Sequence, residues 1–152
     1  MNNYKIVFMG TPDFGIPSLN ELYKQGYEVE AVYTQPDRVN KRGNKVQFSA
    51  VKQFALEHDI TIYQPNSLKD EKELDVLRAL NPDLIIVIAY GKILPQAVLD
   101  IPKYGVINVH ASLLPKYRGA APVQRSIIDG EETTGVTIMQ LDAGMDTGNI
   151  IA

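Results

Sequence analysis

The length and composition of the sequence restrict the kind of protein that it encodes. Its 152 residues suffice for one domain with a sizeable core, and 45 % hydrophobic with 22 % charged residues is ordinary for a globular protein. The absence of cysteine excludes disulfides and thiolate metal sites, and a net charge of −3 argues against indiscriminate nucleic-acid binding. The sequence has no apolar run of membrane-spanning length and no signal-peptide pattern, so we expect a cytoplasmic protein of one domain, residues 1–152.

Strand and helix patterns alternate along the first ninety residues. Apolar, β-branched runs predict strands at 4–9, 28–34, 61–63 and 83–89, and the segments between them predict helices that end near residues 25, 57 and 80. Ser49 and Ser67 are the predicted N-caps of the second and third helices. His58, near the end of the second helix, is interpreted as a solvated surface residue.

Residues 35–48 interrupt this alternation and predict a long exposed loop, because they contain little apolar sequence. The loop and the helix after it carry a run of cations with no acidic residue among them: Arg38, Lys41, Arg42, Lys45 and Lys52. A solvated lysine-rich loop is the plainer interpretation of this run, and contact with a polyanion is the alternative.

The rest of the chain continues the same alternation. The patterns predict a helical turn at 95–99, a strand from 106 that ends in Asn108-x-His110, a helix at 122–129 and a strand at 134–140. Polar motifs at 10–14, 90–92, 108–110 and 142–146 all follow strand ends, so we expect them to collect at one edge of the sheet. Together these elements predict a doubly wound α/β fold with a mostly parallel sheet.

Three separated motifs resemble one family. Asn108-x-His110-Ala-Ser-Leu-Leu-Pro115, then Arg118-Gly-Ala-Ala-Pro122, then Asp142-x-Gly-x-Asp146-Thr-Gly148 resemble the folate-dependent formyltransferases, and the likeness runs from Gly10 to the last residue. The second motif is similar to that of the branch that formylates methionyl-tRNA. The resemblance implies a Rossmann-like fold that continues beyond this sequence and is followed by a β-barrel domain. It also implies 10-formyltetrahydrofolate as the formyl donor, initiator methionyl-tRNA as the acceptor, and no metal.

The resemblance assigns catalysis to Asn108, His110 and Asp146, and the chemistry of formyl transfer suits these residue types. An amide N–H from Asn108 can stabilise the developing oxyanion, and a protonated His110 can donate to the same oxygen or to the leaving nitrogen. Residues two apart in a strand lie on the same side, so one substrate atom can meet both. A carboxylate at Asp146 favours the imidazolium. The plainer interpretation is a buried, satisfied histidine and a turn-capping aspartate.

The resemblance also implies two binding regions. The folate pocket is expected to include Tyr90, Gly91, Ile93, Leu94, Ser112, Leu113, Leu114, Pro115, Leu141 and Asp142. The tRNA contacts are expected at Arg38, Lys41, Arg42 and Lys45, with Arg42 as the leading one.

Other functions remain open at this point. A related enzyme can act on a sugar-nucleotide amine or on water, and an inactive folate- or RNA-binding fragment is the alternative outside the enzymes. The triplet Asp146-Thr-Gly148 is also an aspartic-protease signature, but that chemistry needs two aspartates in a β-rich cleft. With two histidines and no cysteine, metal catalysis is a weak alternative.

Overall fold

The computed structural model describes residues 4–39, 45–110 and 137–141. In this part of the chain the main sheet contains β1 (Lys5–Gly10), β2 (Glu28–Tyr33), β5 (Thr61–Tyr63), β6 (Leu84–Ile88), β7 (Val106–His110) and β8 (Thr137–Gln140). The helices are α1 (Ile16–Lys24), preceded by a 3-10 turn at Asp13–Gly15, then α2 (Ala50–Glu57), α3 (Glu71–Leu80) and α4 (Gln96–Leu99). A separate antiparallel ribbon consists of β3 (Arg38–Val39) and β4 (Val46–Gln47).

The strand order in the main sheet is β5-β2-β1-β6-β7-β8, with the first five strands parallel and β8 antiparallel to β7. The chain moves outward from β1 to β2 and β5, then returns to the other side of β1 with β6. This reversal opens a crevice between the carboxyl ends of β1 and β6, where ligands bind in sheets of this kind. The predicted doubly wound, mostly parallel sheet is confirmed.

Two apolar layers cover the sheet. The first core layer includes Val7, Met9, Tyr33, Ile85, Val87, Tyr90 and Val106, packed with Leu74 and Leu77 of α3 and with Val98 and Leu99 of α4. The second core layer includes Phe8, Val32 and Ile88, packed with Leu19 of α1 and with Val51, Phe54 and Ala55 of α2. Burial on both faces explains why the central strands are continuously apolar rather than alternating.

The predicted start of α2 is confirmed and that of α3 is wrong. Ser49 accepts a hydrogen bond from the backbone N–H of Lys52 at 3.0 Å, as an N-cap does. The N-cap of α3 is Asp70, whose carboxylate accepts from the N–H of Lys72 at 3.1 Å. Ser67 instead caps the turn that precedes α3, where its hydroxyl accepts from the N–H of Lys69 at 3.1 Å. Leu68, which lies between Ser67 and Asp70, is buried in the core, and the helix begins only after it.

Two further predictions need correction. Residues 37–39 and 45–48 are exposed as predicted, but the described part of this segment is not all loop, because the ribbon pairs Arg38 with Gln47 and Val39 with Val46. Strands of two residues are too short for alternation to reveal them. His58 is half-buried rather than solvated: its ring stacks on Phe54 with centroids 4.0 Å apart. The predicted helix at 122–129 lies outside the described residues.

Among the helices that the structure describes, none has the length and apolar character needed to span a membrane.

Candidate active site

One hydroxyl joins the carboxyl ends of three strands. Thr11 follows β1, and its Oγ1 donates a hydrogen bond to the carbonyl oxygen of Tyr90, which follows β6, at 2.9 Å. The same Oγ1 accepts from the backbone N–H of Gln35, just beyond β2, at 3.3 Å. These residues lie at the crevice between β1 and β6, so the Thr11 side chain fixes the spacing of the strand ends there.

The turn after β6 has an unusual backbone. Ala89 has φ +52° and Gly91 has φ +91°, both in the left-handed region, which for a residue with a side chain costs about 1–2 kcal/mol. A Cβ at Gly91 would lie 2.8 Å from Nε2 of Gln35, so a side chain there would displace that amide. Strained turns held by their surroundings are common at functional sites.

The side chain of Tyr90 lies below this turn, in the first core layer, beside Tyr33. Neither hydroxyl has a hydrogen-bond partner among the described residues. Burial, followed by the nearby Glu73 carboxylate, raises the pKa of Tyr90 to about 12. Burial, followed by Tyr63, Glu73 and Tyr90, also raises the pKa of Tyr33. Both phenols are therefore neutral at physiological pH.

The end of β7 reaches the same edge. Asn108 lies opposite Val87 of β6, and β6 ends one residue later, at Ile88. Asn108 is half-buried and shares the strand face of Val106, which belongs to the first core layer, the layer that contains Tyr90. The backbone of His110 lies two positions further on, at the last residue of β7. The predicted pair Asn108 and His110 therefore lies at the carboxyl edge beside the Tyr90 turn.

The predicted folate-binding residues fall into three groups, which are exposed, buried or outside the described part of the chain. Ile93 is 77 % exposed next to the turn, so its apolar side chain is accessible to a ligand. The side chains of Tyr90 and Leu94 are buried in the first core layer, so any ligand contact by Tyr90 uses its backbone. Ser112, Leu113, Leu114, Pro115, Asp142 and the catalytic candidate Asp146 lie outside the described residues.

The position of Leu141 differs from the prediction. Because β8 runs antiparallel to β7, its last residues lie beside the first residues of β7, and the N–H of Leu141 donates to the carbonyl of Val106 at 2.8 Å. Leu141 is thus at the amino end of β7, away from the turn at Tyr90. The expectation that motif 142–146 shares the edge because it follows a strand assumed a parallel strand, and that assumption is wrong for β8.

A polar network holds the base of the exposed ribbon. Nζ of Lys52 contacts Oδ2 of Asp37 at 2.7 Å and Oε1 of Gln64 at 3.0 Å. Gln64 Nε2 donates to Oδ1 of Asp37 at 2.7 Å and to the carbonyl of Gln35 at 3.2 Å. Hydrogen bonds from Lys52 and Gln64 lower the pKa of Asp37. We call Asp37, Lys52 and Gln64 the clasp.

The clasp changes the view of the cationic run. Lys52 is paired with Asp37, which precedes the run, and lies 3.9 Å from the centroid of the Phe48 ring. Arg38 and Lys45 are exposed and form no ion pair within the part of the chain that the structure describes. Lys41 and Arg42 lie outside it. The contacts of Thr11 and of the clasp were not predicted from the sequence, because the residues that they join are distant in the chain. The sequence signal that points to them is a polar residue directly after a predicted strand.

The strand order and the crevice define a Rossmann-like α/β fold, and solved structures share it. Phosphoribosylglycinamide formyltransferase from Bacillus halodurans aligns with a TM-score of 0.77 and 24 % identity, covering 97 % of this chain and 77 % of that one. A formyltetrahydrofolate deformylase from Pseudomonas syringae aligns with a TM-score of 0.75 and 21 % identity, covering 99 % and 50 %. At these identities the likeness establishes the fold alone.

Comparison of the sequence with known families identifies one family within this fold class. The pattern of the family described as formyl transferase matches residues 4–152, and the chain belongs to that family. A methionyl-tRNA formyltransferase of Clostridium perfringens is 60 % identical over 148 residues, and one of Caldanaerobacter subterraneus is 56 % identical over 148 residues. Each alignment covers 97 % of this chain and 48 % of the relative, so the chain spans about half the length of the curated relatives it matches.

Proposed function

We propose that this chain carries the catalytic machinery that transfers a formyl group from 10-formyltetrahydrofolate to the amino group of methionyl-tRNA. The carrying observation is the identity of 56–60 % over 97 % of the chain to proteins named methionyl-tRNA formyltransferase. The acceptor is made in the cytoplasm, so the function implies that location. Relatives that act on other acceptors are similar at the level of the fold only.

Catalysis is assigned to Asn108 and His110 at the end of β7. The amide of Asn108 stabilises the oxyanion that develops on the formyl oxygen, and His110 donates a proton to that oxygen or to the leaving nitrogen. Support comes from their shared strand, whose last residues reach the crevice edge beside the turn at Tyr90.

Asp146 is assigned to favouring the protonated form of His110, and chain length permits this role. From Val106 to His110 the strand rises roughly 13 Å. The five residues after Leu141 can span at most about 17 Å when extended. The chain can therefore return from the amino end of β7 to its carboxyl end by position 146.

The formyl donor is assigned to the turn of 90–94 and to residues 112–115. The exposed Ile93 side chain offers an apolar wall next to the switch-point crevice, and backbone groups of the turn suit the donor and acceptor edge of a pterin ring. When bound, the folate supplies the activated formyl group; the protein supplies position, hydrogen bonds and proton management.

The acceptor tRNA is assigned to the ribbon, through Arg38, Lys41, Arg42 and Lys45. The ribbon follows β2 at the carboxyl edge and its base is fixed by the clasp, which leaves the exposed Arg38 and Lys45 available for phosphate. Arginine binds phosphate with two parallel hydrogen bonds and also stacks on unpaired bases, which favours Arg42 as the leading contact.

The test compares the two histidines of the chain in the full-length protein. His110→Ala should lower turnover on the order of 10²-fold or more with little change in folate affinity, because its proton transfer acts in the transition state. His58→Ala is the control and should leave turnover unchanged, since His58 stacks on Phe54 at the end of α2. Normal turnover in His110→Ala would contradict the assignment. If the protein formylated a sugar-nucleotide amine and not methionyl-tRNA, the assigned acceptor would be wrong.

A second comparison tests the tRNA assignment. Arg42→Ala should raise the KM for methionyl-tRNA and flatten the salt dependence of tRNA binding, while folate affinity stays unchanged. The control is Arg78→Ala on α3, whose guanidinium pairs with Glu71 and Asp75. Equal effects of the two variants would argue for a general charge effect and against the ribbon.

A further inference from the structure

The turn after β6 needs support from outside itself. Two left-handed residues, Ala89 and Gly91, flank Tyr90, and an alanine in this region returns readily to a more common conformation when unrestrained. The Tyr90 side chain anchors the turn from below, within the first core layer. Above the core, the Tyr90 carbonyl is held by the hydroxyl of Thr11 at 2.9 Å.

Thr11 is itself fixed on two further sides. Its hydroxyl accepts from the N–H of Gln35 at 3.3 Å, which orients the hydroxyl proton toward Tyr90. Its carbonyl accepts from the N–H of Val51, in the first turn of α2, at 3.4 Å. The Gln35 side chain in turn reaches the turn, with Nε2 at 2.8 Å from the place of a Gly91 Cβ. Thr11 therefore acts on the turn from a frame made of β1, β2 and α2.

We propose that Thr11 is a positioning residue for the formyl donor. It does not touch the donor; it holds the Tyr90 carbonyl, and through it the 90–94 backbone and Ile93, in the conformation that binds the pterin. The proposal rests on the proposed function for the identity of the ligand, and on the described contacts for the restraint. A hydroxyl is required because one atom must donate to Tyr90 and accept from Gln35; a methyl group at that place does neither.

The test uses Thr11→Val and Thr11→Ser in the full-length protein. Hydrogen exchange of the amides of residues 90–94 should be roughly threefold to tenfold faster in Thr11→Val, the range expected for one lost hydrogen bond. The KM for 10-formyltetrahydrofolate should rise by a similar factor, with kcat at saturating donor within about twofold of the parent. Thr11→Ser keeps the hydroxyl and should restore both values.

The matched control is Thr34→Val. Thr34 lies at the same edge, and its hydroxyl is hydrogen-bonded to Ser49 at 2.6 Å rather than to the turn. This variant loses a buried hydroxyl of the same kind, so it reports any general loss of stability, and it should leave exchange at residues 90–94 unchanged.

Each outcome decides a separate question. Unchanged exchange at 90–94 in Thr11→Val, or no rescue by serine, overturns the positioning role. Faster exchange with an unchanged donor KM also overturns it, while the proposed function stands. If the parent binds the donor but does not formylate methionyl-tRNA, the acceptor assignment fails, and weaker donor binding by Thr11→Val in calorimetry still supports Thr11. If the parent binds no donor, both proposals are wrong.

Discussion

The two edges of the sheet are closed in different ways. At the amino edge, Asp83 joins neighbouring segments mainly through backbone atoms: its N–H donates to the Lys5 carbonyl at 2.8 Å, and its carbonyl accepts from Tyr104 at 2.7 Å. Its carboxylate accepts from the Lys5 N–H at 2.8 Å. At the carboxyl edge, a backbone bond joins the Thr34 N–H to the Tyr63 carbonyl at 3.1 Å, but the joints to the turn after β6 and to the ribbon are made by side chains, the hydroxyl of Thr11 and the clasp.

This difference separates stability from function. Backbone joints at the amino edge fix which strands are neighbours. Side-chain joints at the carboxyl edge fix the spacing of the strand ends and of the turns that follow them. We therefore expect substitutions at the amino edge to change the free energy of unfolding alone, and those at the carboxyl edge to change kinetic constants out of proportion to stability.

The largest effect is expected from a pair of polar residues, one at each edge. Asn108→Ala should lower turnover on the order of 10²-fold, as the loss of one oxyanion donor does. Asp83→Ala should lower the free energy of unfolding by about 1–3 kcal/mol, because the Lys5 N–H loses its partner, and should leave turnover within about twofold. Denaturant unfolding and steady-state kinetics on both variants provide the measurement. A kinetic defect in Asp83→Ala would break the separation.

Two glycines with positive φ provide a second test of the separation between stability and function. Gly91 and Gly26 have φ values of +91° and +80°, so alanine at either should cost about 1–2 kcal/mol of stability. A Cβ at Gly26 meets nothing within 4 Å, whereas one at Gly91 displaces the Gln35 amide. Only Gly91→Ala should therefore raise the donor KM, measured beside thermal unfolding of both variants. A raised KM in Gly26→Ala would show that strain alone affects the site.

The buried phenol of Tyr90 predicts a stability change with a defined pH dependence. Tyr90→Phe removes a buried hydroxyl that has no partner among the described residues, and it should raise the free energy of unfolding at neutral pH by about 1 kcal/mol. Because the folded-state pKa is about 12 against an ordinary value of 10.0, the folded state keeps a proton that the unfolded chain loses. Stability of the parent should fall as the pH rises from 10 to 12, and less steeply in the variant. The exposed Tyr104→Phe is the control and should leave the free energy of unfolding at neutral pH unchanged.

The smallest effect is expected at the clasp. Asp37→Asn should barely change stability at neutral pH, because exposed ion pairs contribute little, but it loosens the base of the ribbon. We expect a rise of about two- to threefold in the KM for methionyl-tRNA with donor KM unchanged. The lowered pKa of Asp37 means that the clasp weakens only as the pH falls below 3.8. Asp75→Asn, which breaks an exposed pair with Arg78, is the control, and an equal KM change there would contradict the role.

The elements with dense apolar patterns were predictable from the sequence. The strands β1, β2, β5 and β6 and the capped start of α2 lie within a residue or so of their predicted positions, because two-sided burial requires continuous apolar runs and helix ends require caps. The placement of Asn108 and His110 at a strand end followed from the same pattern.

What the sequence did not reveal depends on contacts between distant residues. The bond from Thr11 to Tyr90 joins positions 79 apart, and the clasp joins Lys52 to a residue 15 positions earlier and another 12 later. The direction of β8 was also missed, because a strand has the same pattern whether it runs parallel or antiparallel. The ribbon was missed since its strands have two residues each.

The clasp and the bond between Thr34 and Ser49 bring the two ends of the 35–48 segment together independently of what lies between them. The segment is thus attached to the domain through its two ends, and this attachment does not depend on the sequence between them. For a chain whose ends are already pinned, doubling its length costs only about 0.6 kcal/mol of closure entropy. Insertions, deletions and grafts in residues 40–44 should therefore leave the folding of the sheet intact, so that this segment can change its sequence far faster than the strand ends beside it.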